Sequence, residues 1–247
     1  MTYPRINILG VPVDCLTTQE ARKIVCKALE TPGPQSIIAV NPEKVMQARR
    51  NHEVLAQLMR TSVLIPDGIG VVWLARRKVG HFVQRVAGAD FMPEICKMAQ
   101  VSGAKIFLFG GEEGIAERVA QHLDTHFPGI QIVGTQHGYL PESEMDILLE
   151  RITALGTHIL FLALGSPKQE CWMAQYLPRL QVRLCQGVGG TFDVLAGKVR
   201  RAPAVVQACH GEWLYRLMMN PSRFFRQQAL WTYMVLVVKQ YLLGVRS

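Results

Sequence analysis

The sequence predicts an α/β fold: a Rossmann-like, mainly parallel sheet with helices on both faces, followed by a helical and basic C-terminal appendage. Three observations carry this expectation. Short runs rich in aliphatic and β-branched residues alternate with longer stretches whose apolar residues recur every three or four positions. One of the short runs, Ile159-Leu-Phe-Leu-Ala-Leu164, is apolar throughout, as a strand covered on both faces must be. After Gly190 the alternation stops, and from Pro203 onward the pattern is helical with Pro221 as a break.

Taken in order, Ile6–Leu9 is the first strand candidate, and Thr17 or Thr18 can cap the helix that follows. In that helix Ala21, Ile24, Val25, Ala28 and Leu29 make one apolar stripe. Ile37–Val40 is the second strand, and Pro42 fits the first turn of the next helix, where a missing N–H costs nothing. Val63–Pro66, Lys105–Phe109 and Ile130–Val133 are the third to fifth strands. Glu142, Glu144 and Asp146 follow Pro141 as acids that complement a helix start, and Ile147, Leu148, Ile152 and Leu155 give that helix its stripe. His158–Leu164 and Leu184–Gly187 complete the set, with no repeat, linker or low-complexity segment between them. The break in pattern near residues 195–203 divides the chain into an α/β body, 1–197, and an appendage, 198–247.

Composition narrows the function classes. The 247 residues are 49% hydrophobic and 19% charged, which excludes a disordered chain. The formal net charge of +8 would suggest nucleic acid as a partner, but its location argues otherwise. Residues 198–247 carry eight Lys and Arg against Glu212 alone, a formal +7, and the remaining 197 residues carry +1. The basic residues there accompany an apolar, aromatic stretch and no recognition motif, so no nucleic-acid partner is expected. The six cysteines form no C-x-x-C pair and read as free thiols of a reducing compartment. The first eight residues lack a basic region followed by an apolar one, and the longest apolar run, Leu230–Val238 broken only by Thr232, is far short of the ~20 residues of a membrane span. The expectation is a cytoplasmic protein without a transmembrane helix.

Ligands of open parallel sheets bind outside the carboxyl ends of the strands. Here those positions are polar and glycine-rich: Asn41-Pro-Glu-Lys44, Asp67-Gly-Ile-Gly70, Gly110-Gly-Glu-Glu-Gly114, Gly165-Ser-Pro-Lys-Gln-Glu170 and Gly187-Val-Gly-Gly-Thr-Phe-Asp193. Each alone can be a tight turn. Together they outline a cleft for a phosphate-bearing ligand at helix N-termini, with Asn41, Gly110, Gly111, Gly189 and Gly190 as candidate binding residues. Neither a complete G-x-G-x-x-G nor a P-loop is present. Asp67, between a strand end and a Gly-x-Gly turn, is either a general base facing the cleft or a helix N-cap. Asp90 reads as a cap or a partner for Arg85, and Asp193 as a residue that holds its turn. No His, Cys, Asp or Glu cluster has metal-ligand spacing, so neither a metal nor another cofactor is expected.

These motifs occur in order with Arg85-Val-Ala-Gly-Ala-Asp90, Arg201-Ala-Pro203, Glu212-Trp-Leu-Tyr-Arg216 and Pro221-Ser-Arg223. Over essentially its full length the chain resembles the WecG/TagA/CpsF-type bacterial glycosyltransferases, which include the N-acetylmannosaminuronic acid transferase of enterobacterial common antigen and the N-acetylmannosamine transferase of wall teichoic acid. The resemblance implies a metal-independent, inverting transfer from a UDP-sugar donor to an undecaprenyl-diphosphate-linked GlcNAc acceptor at the cytoplasmic membrane surface. It casts Asp67 as the base, Arg85 and Gln169 as substrate contacts, and Arg216, Arg223 and Arg226 as appendage arginines closing over the donor diphosphate. Teichoic-acid members carry Thr where this chain has Ala39, which favours N-acetylmannosaminuronic acid as the sugar moved.

The residues themselves offer what such chemistry needs: a carboxylate to deprotonate a hydroxyl, and arginines with helix N-termini to meet charge on a departing diphosphate. A nicotinamide-dependent oxidoreductase and a non-catalytic nucleotide-binding, membrane-interacting protein are the competing expectations. In the appendage, Phe224, Phe225, Trp231, Tyr233 and Tyr241 interleave with Arg223, Arg226 and Lys239, which suits either a lipid headgroup layer or a helix packed on the core. Oligomerisation is left open.

Overall fold

The computed structural model describes residues 3–80, 82–199, 202–203, 206, 215 and 224–242. The chain begins with an antiparallel hairpin, β1 (Arg5–Ile8) and β2 (Val11–Asp14), and continues through α1 (Thr18–Glu30) into β3 (Gln35–Val40). Helices α2 (Pro42–Arg50) and α3 (His52–Arg60) lead to β4 (Val63–Pro66), and α4 (Ile69–Val79) and α5 (Gly88–Ser102) to β5 (Lys105–Gly110). Then come α6 (Ile115–His126), β6 (Gln131–Gln136), α7 (Met145–Ala154), β7 (Ile159–Ala163), α8 (Lys168–Tyr176), β8 (Leu184–Gly187) and the short α9 (Thr191–Leu195). The last described helix is α10 (Phe224–Val237), which widens into a π turn over Val238–Leu242.

Six strands form one sheet in the order β4-β3-β8-β7-β5-β6, with every pairing parallel. Both faces are covered because the strands alternate. Leu160 and Leu162 of β7 join a core with α2, α3, α4, α7 and α8, and Ile159 and Phe161 join a second core with α1, α5, α6 and α9. The expected Rossmann-like α/β fold is what the chain adopts. Thr17 caps α1 in a reciprocal capping box with Glu20, and Pro42 occupies the first turn of α2.

The first strand candidate is corrected. Ile6–Leu9 does not enter the parallel sheet, because Leu9 and Gly10 both take positive φ and fold the chain straight back into β2. Val11-Pro-Val-Asp14 gave little strand signal, since Pro12 interrupts it. The hairpin nevertheless braces the edge of the sheet. Asp14 is fully buried, takes Nε and Nη2 of Arg5 at 2.7 and 2.8 Å, and accepts the backbone N–H of Leu64 in β4 at 2.8 Å. Ile147 is a smaller correction: it is exposed, and Leu148, Leu149 and Ile152 form the buried stripe of α7.

α10 lies on the body. Tyr233 and Val237 are buried in the same core as Val45 of α2 and Val71 of α4. The tyrosine ring sits on Gly70, where a Cβ would come within 3.1 Å of it, and its hydroxyl donates to the Gly70 carbonyl at 3.2 Å. No described helix is long and apolar enough to cross a membrane. Cys15, Cys96 and Cys185 are buried, and desolvation pushes the Cys15 thiol up to about 11 and that of Cys96 up to about 12, so these sulfurs are inert packing groups.

Candidate active site

The carboxyl ends of five neighbouring strands, β4, β3, β8, β7 and β5, carry the motifs picked out in the sequence. With neighbouring strands about 4.8 Å apart, the rim from the end of β4 to the end of β5 runs about 19 Å. The chain leaves β7 toward β8 and leaves β5 toward β6, in opposite directions, so the crevice between β7 and β5 is a topological switch point.

Of the helices that start along this rim, α2 is capped by Asn41, but five others lack the side chain that ordinarily satisfies the first N–H groups. α4, α5, α6, α8 and α9 begin after Gly68, Ala87, Gly114, Pro167 and Gly190, none with a side-chain cap hydrogen bond. Uncapped N-termini carry partial positive charge and donor groups suited to an anion.

At the β4 end stands Asp67. Its backbone N–H is held by the Val40 carbonyl at 2.9 Å, which ties the ends of β4 and β3 together. Its Oδ1 takes the Gly68 N–H at 2.7 Å and the Arg85 Nε at 3.1 Å. Asp67 does not cap α4, since the residue in that place is Gly68; the carboxylate is instead half-buried beside an equally half-buried guanidinium. Arg85 reaches it because the Val86 N–H bonds the Pro66 carbonyl at 2.8 Å, folding the loop after α4 back onto the strand end. Gly68 has positive φ, and a Cβ there would come within 2.9 Å of Pro42 Cδ, so this turn admits no side chain.

Asn41 lies at the neighbouring strand end as the N-cap of α2, its Oδ1 accepting the Lys44 N–H at 2.8 Å. The Ala39 methyl packs against the first residue of α5, where a Cβ on Gly88 would approach it to 3.1 Å. Asp90 is in the first turn of α5.

In the middle of the rim is a buried polar network that the separate motifs did not announce. Lys44 of α2 and Glu170 of α8 form an ion pair with side chains 7% and 0% exposed. Lys44 Nζ also donates to Ser166 Oγ at 2.9 Å, and that hydroxyl lies 2.6 Å from Gln47 Oε1 and 2.8 Å from Glu170 Oε2. Glu170 Oε1 accepts Gln169 Nε2 at 2.9 Å, while Gln169 Oε1 takes the Gly189 N–H at 3.1 Å. Gln169 is thus buried and held at both ends, and its grip on Gly189 sets the loop after β8. A Cβ on Gly187 would come within 2.9 Å of Gln169, which explains the glycine that ends the strand.

At the switch point, Gly110 and Gly111 permit close backbone approach. A Cβ on Gly110 would come within 2.5 Å of Ala163, and one on Gly111 within 2.6 Å of Ile115. Gly111 instead bonds Ala163 and Gly138 through its own N–H and carbonyl. Gly190 starts α9, with Asp193 in its first turn. Lys198 reaches from beyond α9 to Glu112 at 2.6 Å and closes this end of the rim.

Asp67, Asn41, Arg85, Gln169, Gly189, Gly190, Gly110 and Gly111 therefore lie along one sheet edge. Arg216 and Arg223 fall outside the described residues; Arg226 is on α10, with its side chain outside what is described. Among the described residues no three His, Cys, Asp or Glu side chains come together as a metal site. The profile of the glycosyl transferase WecG/TagA/CpsF family matches residues 6–247.

Proposed function

The chain belongs to the WecG/TagA/CpsF glycosyl transferase family, and from that premise we propose an inverting, metal-independent hexosyltransferase. It moves an N-acetylmannosamine-type sugar, in the first instance N-acetylmannosaminuronic acid, from a UDP donor to undecaprenyl-diphosphate-linked GlcNAc, working peripherally on the inner face of the cell membrane. The observation that carries this proposal is the Asp67–Arg85 pair at one end of a rim of uncapped helix starts.

The chemistry follows the rim. The donor diphosphate lies along the N-termini and glycine turns, where backbone N–H groups can meet its oxygens. The sugar is directed toward β4. There the acceptor hydroxyl gives its proton to the Asp67 carboxylate as its oxygen attacks the anomeric carbon. The bond from that carbon to the UDP oxygen breaks, UDP leaves with the electron pair, and the anomeric configuration inverts. Arg85, already facing Asp67, supplies fixed positive charge beside the reacting centre. Arg216, Arg223 and Arg226 complete the diphosphate's surroundings in this proposal. The body, 1–197, then holds the donor, and the segment 198–247 brings the lipid side of the reaction to it.

Thermal melting separates this reading from a nicotinamide enzyme. UDP at about a hundred times its Kd should stabilise the chain by about 2.7 kcal/mol, a rise of roughly 5–10 °C for a protein of this size, with NAD giving no shift. Stabilisation by NAD and none by UDP would overturn it.

A further inference from the structure

We infer that the outer face of α4, together with Phe82 beyond it, forms a docking surface for an anionic lipid bilayer, carried by the body and continued by α10. Ile69 and Trp73, one helical turn apart, are each 45% exposed, and Phe82 just beyond the helix is 65% exposed. Each ring carries a cation. The Arg77 guanidinium lies 5.7 Å from the Trp73 ring centroid and that of Arg76 lies 4.6 Å from the Phe82 centroid. Lys78 adds a third positive charge, and no acidic residue occurs between Asp67 and Asp90. Two exposed cations on other elements face acids, Arg22 with Glu94 and Arg179 with Asp146.

A surface of aromatic rings and long basic side chains is what the headgroup layer of an anionic membrane attracts, with apolar bodies sinking in and charges staying at the phosphates. A second copy of this chain is a poorer occupant, because a two-fold contact would bring the same positively charged residues against one another. α10 extends the patch. Its outward residues Trp231, Met234, Val235 and Val238 recur at helical spacing and are exposed, and Tyr233 seats this helix on the first turn of α4. Ile69 is two residues from Asp67, so this face begins directly after the turn that carries the proposed base. This inference rests on the proposed lipid-linked acceptor for its purpose, though not for its test.

The test is co-flotation of the full chain with vesicles of phosphatidylglycerol and phosphatidylcholine, and with phosphatidylcholine alone, none containing a sugar acceptor. The parent chain should bind the anionic vesicles preferentially. The variant Trp73→Ser/Arg77→Glu, with unchanged melting temperature and UDP response, should bind them at least thirtyfold more weakly, the two-unit charge change alone accounting for about that factor. Undiminished binding by the variant, or no binding by the parent chain, overturns the inference. So does a parent dimer that dissociates in the variant while vesicle binding persists, which would make this face a self-interface. Normal flotation with no sugar transfer would leave this surface standing and remove the proposed function instead.

Discussion

Asp67→Asn is expected to lower turnover by about a thousandfold while leaving UDP affinity within about twofold, because it removes a proton acceptor and preserves the shape that holds the site. The amide oxygen can still take the Gly68 N–H and the Arg85 Nε that Oδ1 takes now, at 2.7 and 3.1 Å. The turn after β4 should therefore keep its form, and the loss should appear in kcat with little change in donor KM. The pH profile supplies a second readout. The parent enzyme should lose activity on the acid side as its base is protonated, and that limb should vanish from the residual activity of the variant. Retention of full turnover would take Asp67 out of the role, and a loss confined to donor KM would make it a binding residue.

The second large effect is expected at the Lys44–Glu170 pair. Both side chains are buried, so converting one partner alone strands the other in a poorly solvated place. Glu170→Gln should cost about 3 kcal/mol, roughly 6–12 °C in melting temperature, and lower kcat as well. Replacing both partners together, Lys44→Met with Glu170→Met, removes the unpaired charge and should recover most of the stability. It should not recover turnover. Gln169 would have lost the acceptor of its Nε2, held at 2.9 Å, and with it the fixed position from which its Oε1 sets the Gly189 loop at 3.1 Å. Equal recovery of melting temperature and kcat in the double variant would make the pair a packing device alone.

The strands of the sheet were legible because each is a compact apolar run that ends in a polar or glycine turn, and six of them stand where the pattern put them. The hairpin was not, because Pro12 masks β2 and a positive-φ leucine in the turn leaves no residue-type signature. The rim was legible for the same topological reason that makes it a rim. What the separate motifs could not convey was their pairing. Lys44 and Glu170 are 126 positions apart, and only the parallel order β3-β8-β7 brings α2 and α8 together. Gln169 is expected as a substrate contact, and its burial with two hydrogen bonds, to Glu170 and from the Gly189 N–H, could not be read from its motif. Of the two readings of the C-terminal helix, packing on the core is seen on one of its sides. Tyr233 and Val237 pack on the body while Trp231, Met234, Val235 and Val238 stay exposed, so an aromatic count alone could not separate docking from packing.

In the proposed function this rim transfers a sugar from a nucleotide to a lipid-linked acceptor. Its most direct test is incubation of the full chain with a panel of UDP-linked N-acetylhexosamines and their uronates, plus a short-chain lipid-diphosphate-GlcNAc acceptor, read by mass spectrometry. The expected result is one acceptor product heavier by a single N-acetylated sugar residue, largest with UDP-N-acetylmannosaminuronic acid, appearing with an equal amount of UDP. No product with any donor in the panel, or donor hydrolysis with the acceptor unchanged, would contradict it.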